Sequence, residues 1–291
     1  MPFPFSFRLP EEVKNFLRAA LREDVGNGDI TSGLTIPEDH VSTAVIICKE
    51  DDVIVAGLPF AKEIFNLIDP EVRFRRNARD GEPVKKGDVI ARAKGLTLSL
   101  LASERVALNI LQRLSGIATL TRRFAEQLEG TNAKITDTRK TTPNMRYMEK
   151  YAVRVGGGVN HRFGLYDGIL IKDNHVKAAG GVAKAVKLAR RAMHLHKIEI
   201  EVEDIKGFEE ALDAGADVIM LDNMPPEEAA KAVKLNEEKS RALGRARAVI
   251  EASGNITLEN VRRMGETGVD LISSGALTHS YKAADLSLEI E

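Results

Sequence analysis

The sequence predicts an α/β protein of about two domains, with parallel βα units in its second half. The chain has 291 residues, and a typical domain has about 150. After residue 130, six short β-rich runs alternate with amphipathic helical patterns, which is typical of parallel strands joined by right-handed crossovers. The continuous apolar runs suit a barrel or a doubly wound sheet. We favour a barrel, because every one of these strands ends in a polar or charged residue.

The first 130 residues have a mixed pattern of helices and strands. The alternating residues after Gly87-Asp88 predict a surface hairpin. A long helix is expected to begin at Ser103, a plausible N-cap, and Gly116 is expected to permit a close crossing within it. Apolar spacing predicts helices over 10–23, 59–67 and 103–128, strands over 43–49 and 52–56, and the hairpin within 81–94.

The second half divides into successive strand–helix units. Ala214-Gly215-Ala216 and Thr267-Gly268-Val269 supply helix stops between them. The predicted strands are 134–137, 168–172, 198–203, 218–222, 248–253 and 270–274, and the predicted helices are 177–195, 205–214, 225–242 and 257–267.

Composition excludes several functional classes. Lys plus Arg is 42 and Asp plus Glu is 43, so the chain lacks the basic excess of a whole-surface nucleic-acid binder. The single cysteine, Cys48, excludes an intrachain disulfide and a cysteine-rich metal site. No apolar run approaches the length of a membrane span, and residues 1–7 lack the pattern of a signal peptide. We therefore expect a soluble, cytoplasmic protein.

The carboxyl ends of the predicted strands carry the candidate site, because βα barrels place their chemistry there. The segment 134–175 holds eight basic and four acidic side chains, a local excess in a chain that is nearly neutral. Arg139, Lys140, Arg162 and Lys172 lie at strand ends or in a glycine-flanked loop within it. Arginine and lysine bind carboxylates and phosphates, so this pattern predicts a small polyanionic ligand.

The last two strand ends have a different composition. Ser253-Gly254-Asn255 and Ser274-Gly275 form short turns in which backbone N–H groups can face an anion. A phosphate site at the final two strands is a recurring barrel arrangement. Glu201 and Asp222 end the two middle strands, where carboxylates commonly hold ribose hydroxyls or hydrated Mg²⁺. The alternative for these two carboxylates is a structural ion pair with a neighbouring lysine.

Ordered motifs along nearly the whole chain resemble those of quinolinate phosphoribosyltransferase (decarboxylating), also called nicotinate-nucleotide pyrophosphorylase. Their order and number make the resemblance specific. The motifs are EDVGNGDIT at 23–31, SERVALN at 103–109, TRKTTP at 138–143, GGVNHR at 157–162, KDNH at 172–175, LDN at 221–223 and SGN at 253–255, where some relatives carry glycine at the third position.

The resemblance implies an N-terminal α/β sandwich over 1–115, joined by the tail 280–291, and an incomplete, roughly six-stranded α/β barrel over 116–279. It implies a homodimer or higher homo-oligomer in which Arg105 completes the partner's site. The implied reaction joins quinolinate to 5-phosphoribosyl 1-pyrophosphate with Mg²⁺. Its products are nicotinate mononucleotide, pyrophosphate and CO₂, in de novo NAD biosynthesis.

Site residues follow from the same resemblance. Quinolinate would bind Arg105, Arg139, His161, Arg162 and Lys172. The catalytic residues would be Lys140, near the pyrophosphate, and Glu201 and Asp222, near the ribose and the metal, which they would hold directly or through water. The 5-phosphate would bind Ser253, Gly254, Asn255, Ser274 and Gly275, with His279 nearby.

Three alternatives compete with this interpretation. A related phosphoribosyltransferase that takes another base, such as nicotinate, would share the barrel and the phosphate end. The arginines beside Lys140 and Lys172 favour a dicarboxylate instead. A non-catalytic binder would not need Glu201 and Asp222, and a nucleic-acid binder conflicts with the net charge of −1 and the 5% aromatic content.

Overall fold

The structure is a computed structural model that describes residues 9–191 and 196–291. The chain folds into two compact units. The first comprises Met1–Leu120, Thr142–Gly156 and Tyr281–Glu291, and the second comprises Thr121–Thr141 and Gly157–Ser280. The domain limits inferred from sequence stay a prediction. The expectation that the chain has no signal peptide concerns residues 1–7, which lie outside the residues that the structure describes.

The first unit contains a four-stranded antiparallel sheet. Its strand order is β12-β1-β5-β3, and a separate two-stranded ladder joins β2 to β4. Because β4 pairs with β2 while β5 pairs with β1 and β3, the predicted hairpin over 81–94 is wrong. The strands are β1 (Val41–Cys48), β2 (Val53–Ile54), β3 (Arg73–Arg76), β4 (Pro83–Val84), β5 (Val89–Leu96) and β12 (Leu286–Ile290).

Helices of the first unit pack apolar faces into its core. In the first helix, Val13, Leu17 and Leu21 are buried at helical spacing. The second helix is capped by Asp29, whose carboxylate accepts the Ser32 N–H. The helices are α1 (Glu11–Val25), α2 (Ile30–Thr35), α3 (Leu58–Ile68), α4 (Thr97–Gln127), which continues into the second unit from Thr121, and α5 (Arg146–Val155).

Helix α4 begins earlier than predicted. It starts at Thr97, so Ser103 is an interior residue and not an N-cap. The Ser103 hydroxyl donates to the Ser99 carbonyl one turn back, at 2.8 Å, which satisfies a serine inside a helix. Gly116 does permit a close approach. A Cβ there would lie 2.2 Å from the Lys282 carbonyl oxygen.

The second unit contains a six-stranded parallel sheet in the order β6-β11-β10-β9-β8-β7. In the part of the chain that the structure describes, β6 and β7 do not pair with each other, so the barrel is not closed. The predicted fold class is confirmed. The strands are β6 (Lys134–Thr136), β7 (Ile169–Ile171), β8 (Ile198–Val202), β9 (Val218–Asp222), β10 (Val249–Ser253) and β11 (Leu271–Ser273).

Helices connect these strands and cover their apolar side. The predicted helix over 177–195 is wrong in its bounds, because Gly180 and Gly181 take positive φ and break it; residues 192–195 lie outside the described ones. The helix predicted over 257–267 is shorter in the structure, where it covers only Val261–Gly265. The helices are α6 (Asp173–Ala179), α7 (Val182–Arg190), α8 (Ile205–Asp213), α9 (Pro226–Ala242), α10 (Val261–Gly265) and α11 (Ala276–His279).

Strand β8 shows how the sheet presents polar side chains to one side. Its residues alternate as Ile-Glu-Ile-Glu-Val, and the apolar ones are the more buried. Successive side chains in a strand point to opposite faces, so Glu199 and Glu201 share the face away from Ile198 and Ile200. Among residues 9–191 and 196–291, no helix is long and apolar enough to cross a membrane.

Candidate active site

The second unit holds a cavity of about 830 Å³ at the carboxyl ends of its parallel strands. It brings together every predicted site residue except Arg105. These are Arg139, Lys140, His161, Arg162, Lys172, Glu201, Asp222, Ser253, Gly254, Asn255, Ser274, Gly275 and His279. Arg105 lies on α4 in the first unit, with its side chain 56% exposed and 3.8 Å from the Glu104 carboxylate.

Arg162 carries a buried donor that the described residues leave without an acceptor. One of its terminal nitrogens donates to the Gly168 carbonyl at 2.9 Å. Its Nε is buried and has no hydrogen-bond partner among the described residues. Burial, followed by the nearby charge of Arg139, lowers the pKa of the Arg162 guanidinium. A buried donor beside a second arginine favours an anionic ligand.

A buried aspartate fixes the loop that carries this arginine. Asp137 follows β6 and is fully buried. It accepts the backbone N–H of His161 at 2.9 Å and the Asn160 side-chain amide at 2.5 Å. Because the carboxylate anchors the loop beside β6, the backbone before Arg162 has a defined position.

Lys172 and Glu201 form an ion pair within the cavity. The lysine Nζ lies 2.6 Å from the glutamate Oε2. The Lys172 side chain is 47% exposed, whereas the Glu201 side chain is 12% exposed. The lysine-paired alternative for Glu201 is therefore present in the structure, and an incoming anion can still reach the lysine.

The serine–glycine turns after β10 and β11 also line the cavity. Gly254 has φ +93°, and a Cβ there would lie 2.3 Å from the Asn223 Oδ1. That oxygen accepts the Asn255 side-chain amide at 2.9 Å. Gly275 is also crowded, since a Cβ there would lie 2.8 Å from the Lys140 side chain. Both glycines let backbone approach side chains that would otherwise clash.

The cavity also contains oxygen donors suited to a hard cation. Glu201 and Asp222 both line the cavity. Carboxylate oxygens are the ligands that Mg²⁺ prefers, so the residues present fit that ion.

Comparison with known families assigns the chain. The model of the quinolinate phosphoribosyl transferase N-terminal domain matches residues 29–115, and the model of its C-terminal domain matches residues 117–289. The chain belongs to the quinolinate phosphoribosyltransferase family.

Individual relatives of this family cover almost the whole chain. A Bacillus subtilis protein, named a probable nicotinate-nucleotide pyrophosphorylase (carboxylating), is 46% identical over 96% of this chain and 93% of its own length. A mitochondrial quinolinate phosphoribosyltransferase (decarboxylating) of Nicotiana tabacum is 43% identical over 96% of this chain and 82% of its own. The solved nicotinate-nucleotide pyrophosphorylase of Francisella tularensis is 39% identical, with a TM-score of 0.90 over 98% of both chains.

Sequence reasoning missed three residues in or beside the cavity of this family member. Glu251 lines the cavity while 1% exposed, and Glu199 lies close to it beside His161. The alternation in β8 was the available signal for Glu199, because it places that residue on the face of Glu201. Asn223 follows β9 directly in the chain and takes φ +55°. Its position just after Asp222 was the signal that the prediction passed over.

Proposed function

We propose that this chain transfers phosphoribose from 5-phosphoribosyl 1-pyrophosphate to quinolinate with decarboxylation. The products are nicotinate mononucleotide, pyrophosphate and CO₂, a step of de novo NAD biosynthesis. The enzyme is then a nicotinate-nucleotide diphosphorylase (carboxylating), a pentosyltransferase. The observation that carries the proposal is a single cavity lined both by arginines and by serine–glycine turns.

The arginines of the cavity line the proposed quinolinate site. Quinolinate has two ring carboxylates, and Arg139 and Arg162 can each bind one through paired N–H donors. The unpartnered Nε of Arg162 supports this assignment. Lys172 and His161 complete the set within this unit, and we assign Arg105 to the partner subunit's site in a homodimer or higher homo-oligomer.

The serine–glycine turns of the cavity form the proposed phosphate site. Ser253, Gly254 and Asn255, with Ser274 and Gly275, would hold the 5-phosphate through hydroxyl and backbone N–H donors. The Lys140 side chain lies against Gly275, which supports a role for its cation beside the proposed phosphate site. His279 Nε2 lies against the same glycine.

Glu201 and Asp222 are the proposed residues for the ribose and for Mg²⁺, directly or through water. When bound, Mg²⁺ supplies positive charge for the pyrophosphate. The two carboxylates stabilise the positive charge that develops at the ribose C1. Lys140 and the neighbouring cations neutralise the departing pyrophosphate.

The residues present then act by orientation and charge placement. The pyridine nitrogen attacks C1 as pyrophosphate leaves. The carboxylate next to the quaternised nitrogen then leaves as CO₂, the positively charged ring stabilises the electron pair left on that carbon, and a proton from water completes the product. A covalent enzyme nucleophile is unnecessary for this sequence. The arginines hold the ring so that its nitrogen faces C1.

We further propose the domain division at 115/116, with the tail from 280 joining the N-terminal domain, and a cytoplasmic location. The bacterial relative is consistent with that location, although the tobacco relative named above is mitochondrial.

A product assay tests the function. Purified protein is incubated with quinolinate, phosphoribosyl pyrophosphate and Mg²⁺, and nicotinate mononucleotide and CO₂ are quantified. Equal release of both products, dependent on quinolinate, is the expected result. Product from nicotinate without CO₂ would indicate a transferase for another base, and tight ligand binding without turnover would indicate a non-catalytic binder.

A further inference from the structure

The hydrogen bonds of His161 define its chemical state. Its Nδ1 lies 2.8 Å from the backbone nitrogen of Arg162, which donates its N–H. A ring nitrogen that accepts a hydrogen bond carries no proton of its own, so the proton of His161 resides on Nε2. His161 in this geometry is therefore an uncharged imidazole.

The protonated nitrogen faces two carboxyl groups. Nε2 lies 3.2 Å from the nearer Glu199 oxygen and 3.7 Å from the Glu251 Oε2. Glu199 comes from β8 and Glu251 from β10, so two different strands hold one ring. A single N–H serves both carboxyl groups, and the nearer one, Glu199, is its acceptor.

The surroundings of Glu251 disfavour a negative charge on its carboxyl group. Glu251 is 1% exposed, and its Oε1 has no hydrogen-bond partner among the described residues. Burial, followed by the charge of Glu199, raises the pKa of Glu251 to about 7. The other groups that face it are His161, Lys172 and Ser273. A carboxyl group that keeps its proton avoids an unpaired buried charge.

The same three side chains do not suit a metal ion, although their ligand atoms lie within 4.8 Å of one another. A metal would need a lone pair on Nε2. That tautomer would put a proton on Nδ1, directly against the donating N–H of Arg162.

We propose that Glu199 and Glu251 are positioning residues that hold His161 as its uncharged Nε2–H tautomer. Both ring nitrogens are then used by the protein, and His161 meets the substrate through its ring carbons. Positive charge for an anionic aromatic substrate comes from the arginines and lysines alone. The substrate part of this inference rests on the proposed function, whereas the state of His161 does not.

A nitrogen NMR measurement tests the state of His161 without substrate. Full-length protein labelled with ¹⁵N-histidine is recorded at pH 7, and His161 is assigned by the signals lost in His161→Gln. We expect an unprotonated Nδ1 and a protonated Nε2. An imidazolium pattern or an Nδ1–H tautomer would overturn the proposal. So would a shift of the Nε2 signal on adding Zn²⁺ or Mn²⁺, which would indicate a metal site.

Variants of Glu199 test the positioning role. Glu199→Ala removes the acceptor that holds the ring, so we expect the ring to turn and its tautomers to mix. The lost hydrogen bond is the one that positions the ring, and its usual worth corresponds to about a tenfold loss of quinolinate affinity. Glu199→Gln keeps an acceptor oxygen and should restore the wild-type tautomer and affinity. Glu203→Gln, an exposed glutamate just beyond β8, is the matched control.

The two readouts separate this proposal from the proposed function. An unaltered tautomer in Glu199→Ala would overturn the positioning role even in an active enzyme. If the protein shows the expected tautomers but no quinolinate turnover, the positioning of His161 is supported and only the proposed function is contradicted.

Discussion

Lys172 and Glu201 meet across the cavity, with the lysine Nζ 2.6 Å from the glutamate Oε2. The proposed function assigns the lysine to quinolinate and the glutamate to the ribose or the metal. The ion pair therefore connects the proposed quinolinate site with the proposed ribose or metal site. A ligand that binds one of the two side chains weakens the ion pair and so changes the charge that the other side chain offers to its own ligand. Because the lysine is about half exposed, the pair contributes little to folding stability.

Replacing Glu201 tests which role the carboxylate has. Glu201→Gln keeps its size and removes its charge. We expect kcat to fall by about 10²–10³, the usual effect of losing one electrostatic stabiliser, with Tm nearly unchanged. Asp222→Asn should act in the same way. Steady-state kinetics and thermal denaturation check this, with Glu203→Gln as the control. A large fall in Tm at normal kcat would show a structural ion pair instead.

Arg139→Ala should impair both binding and turnover. Arg139 lines the cavity beside Arg162, and losing a charged hydrogen bond costs about 1.5–3 kcal/mol in kcat/KM. We expect the KM for quinolinate to rise and kcat to fall. Arg241→Ala, at an exposed position late in α9, is the control. Near-normal kinetics in Arg139→Ala would contradict the assignment.

Gly254→Ala should damage the phosphate end selectively. The new Cβ would lie 2.3 Å from the Asn223 Oδ1, and φ is +93°. We expect the KM for phosphoribosyl pyrophosphate to rise at least about tenfold, because the left-handed backbone alone costs about 1–2 kcal/mol. Quinolinate affinity, measured by calorimetry, should change little.

Gly130→Ala is the matched control for that variant. Gly130 also has positive φ, at +80°, but nothing lies within 4 Å of its Cβ position. It tests backbone strain without the clash. An equal KM effect in both variants would contradict the role of the Asn223 contact.

The raised pKa of Glu251 predicts how the free energy of unfolding depends on pH. Its folded pKa is raised to about 7 from an ordinary value of 4.5. Between these two values the folded state binds more protons than the unfolded state, so stability falls as pH rises, by up to about 3 kcal/mol. Urea denaturation at pH 5 and pH 8 should show this fall.

Glu251→Gln removes the ionisation and should flatten that profile. The difference in unfolding free energy between pH 5 and pH 8 should shrink relative to wild type. Glu203→Gln should leave the profile unchanged. A wild-type slope that persists in Glu251→Gln would assign the pH dependence to another group.

The hydrogen bonds of Asp80 in the first unit allow a prediction about folding stability. Its carboxylate accepts the Tyr151 hydroxyl at 2.6 Å and the Gly57 N–H at 2.8 Å, at the start of α3. Asp80→Ala should destabilise the protein by about 1–3 kcal/mol, since buried donors lose their acceptor. Asp69→Ala removes a solvent-exposed hydrogen bond from the Glu71 N–H and should change Tm little. Equal effects would contradict this account.

Local sequence patterns predicted most elements of the fold and failed at their ends. The start of α4 was missed because the Ser103 hydroxyl bonds to a carbonyl within the helix, so its N-cap character is not used. The helix over 177–195 was predicted as continuous because Lys177 to Arg190 keeps apolar spacing across two glycines. The pairing of β4 with β2 depends on strands about thirty residues apart, which local turn chemistry does not specify.

The sequence by itself determined the parallel βα architecture and the members of the candidate site at the strand ends. The architecture follows from local periodicity, and the polar strand-end residues follow from the rule that barrel chemistry lies at carboxyl ends. Their assignment to a common set of ligands comes from the family resemblance. Only the tertiary structure decided that Glu199 and Glu251 share one histidine, and that Lys172 pairs with Glu201. These residues are separated along the chain, and their contacts arise from the order and register of the strands. A buried carboxyl pair depends on that three-dimensional neighbourhood, because burial and proximity set its charge.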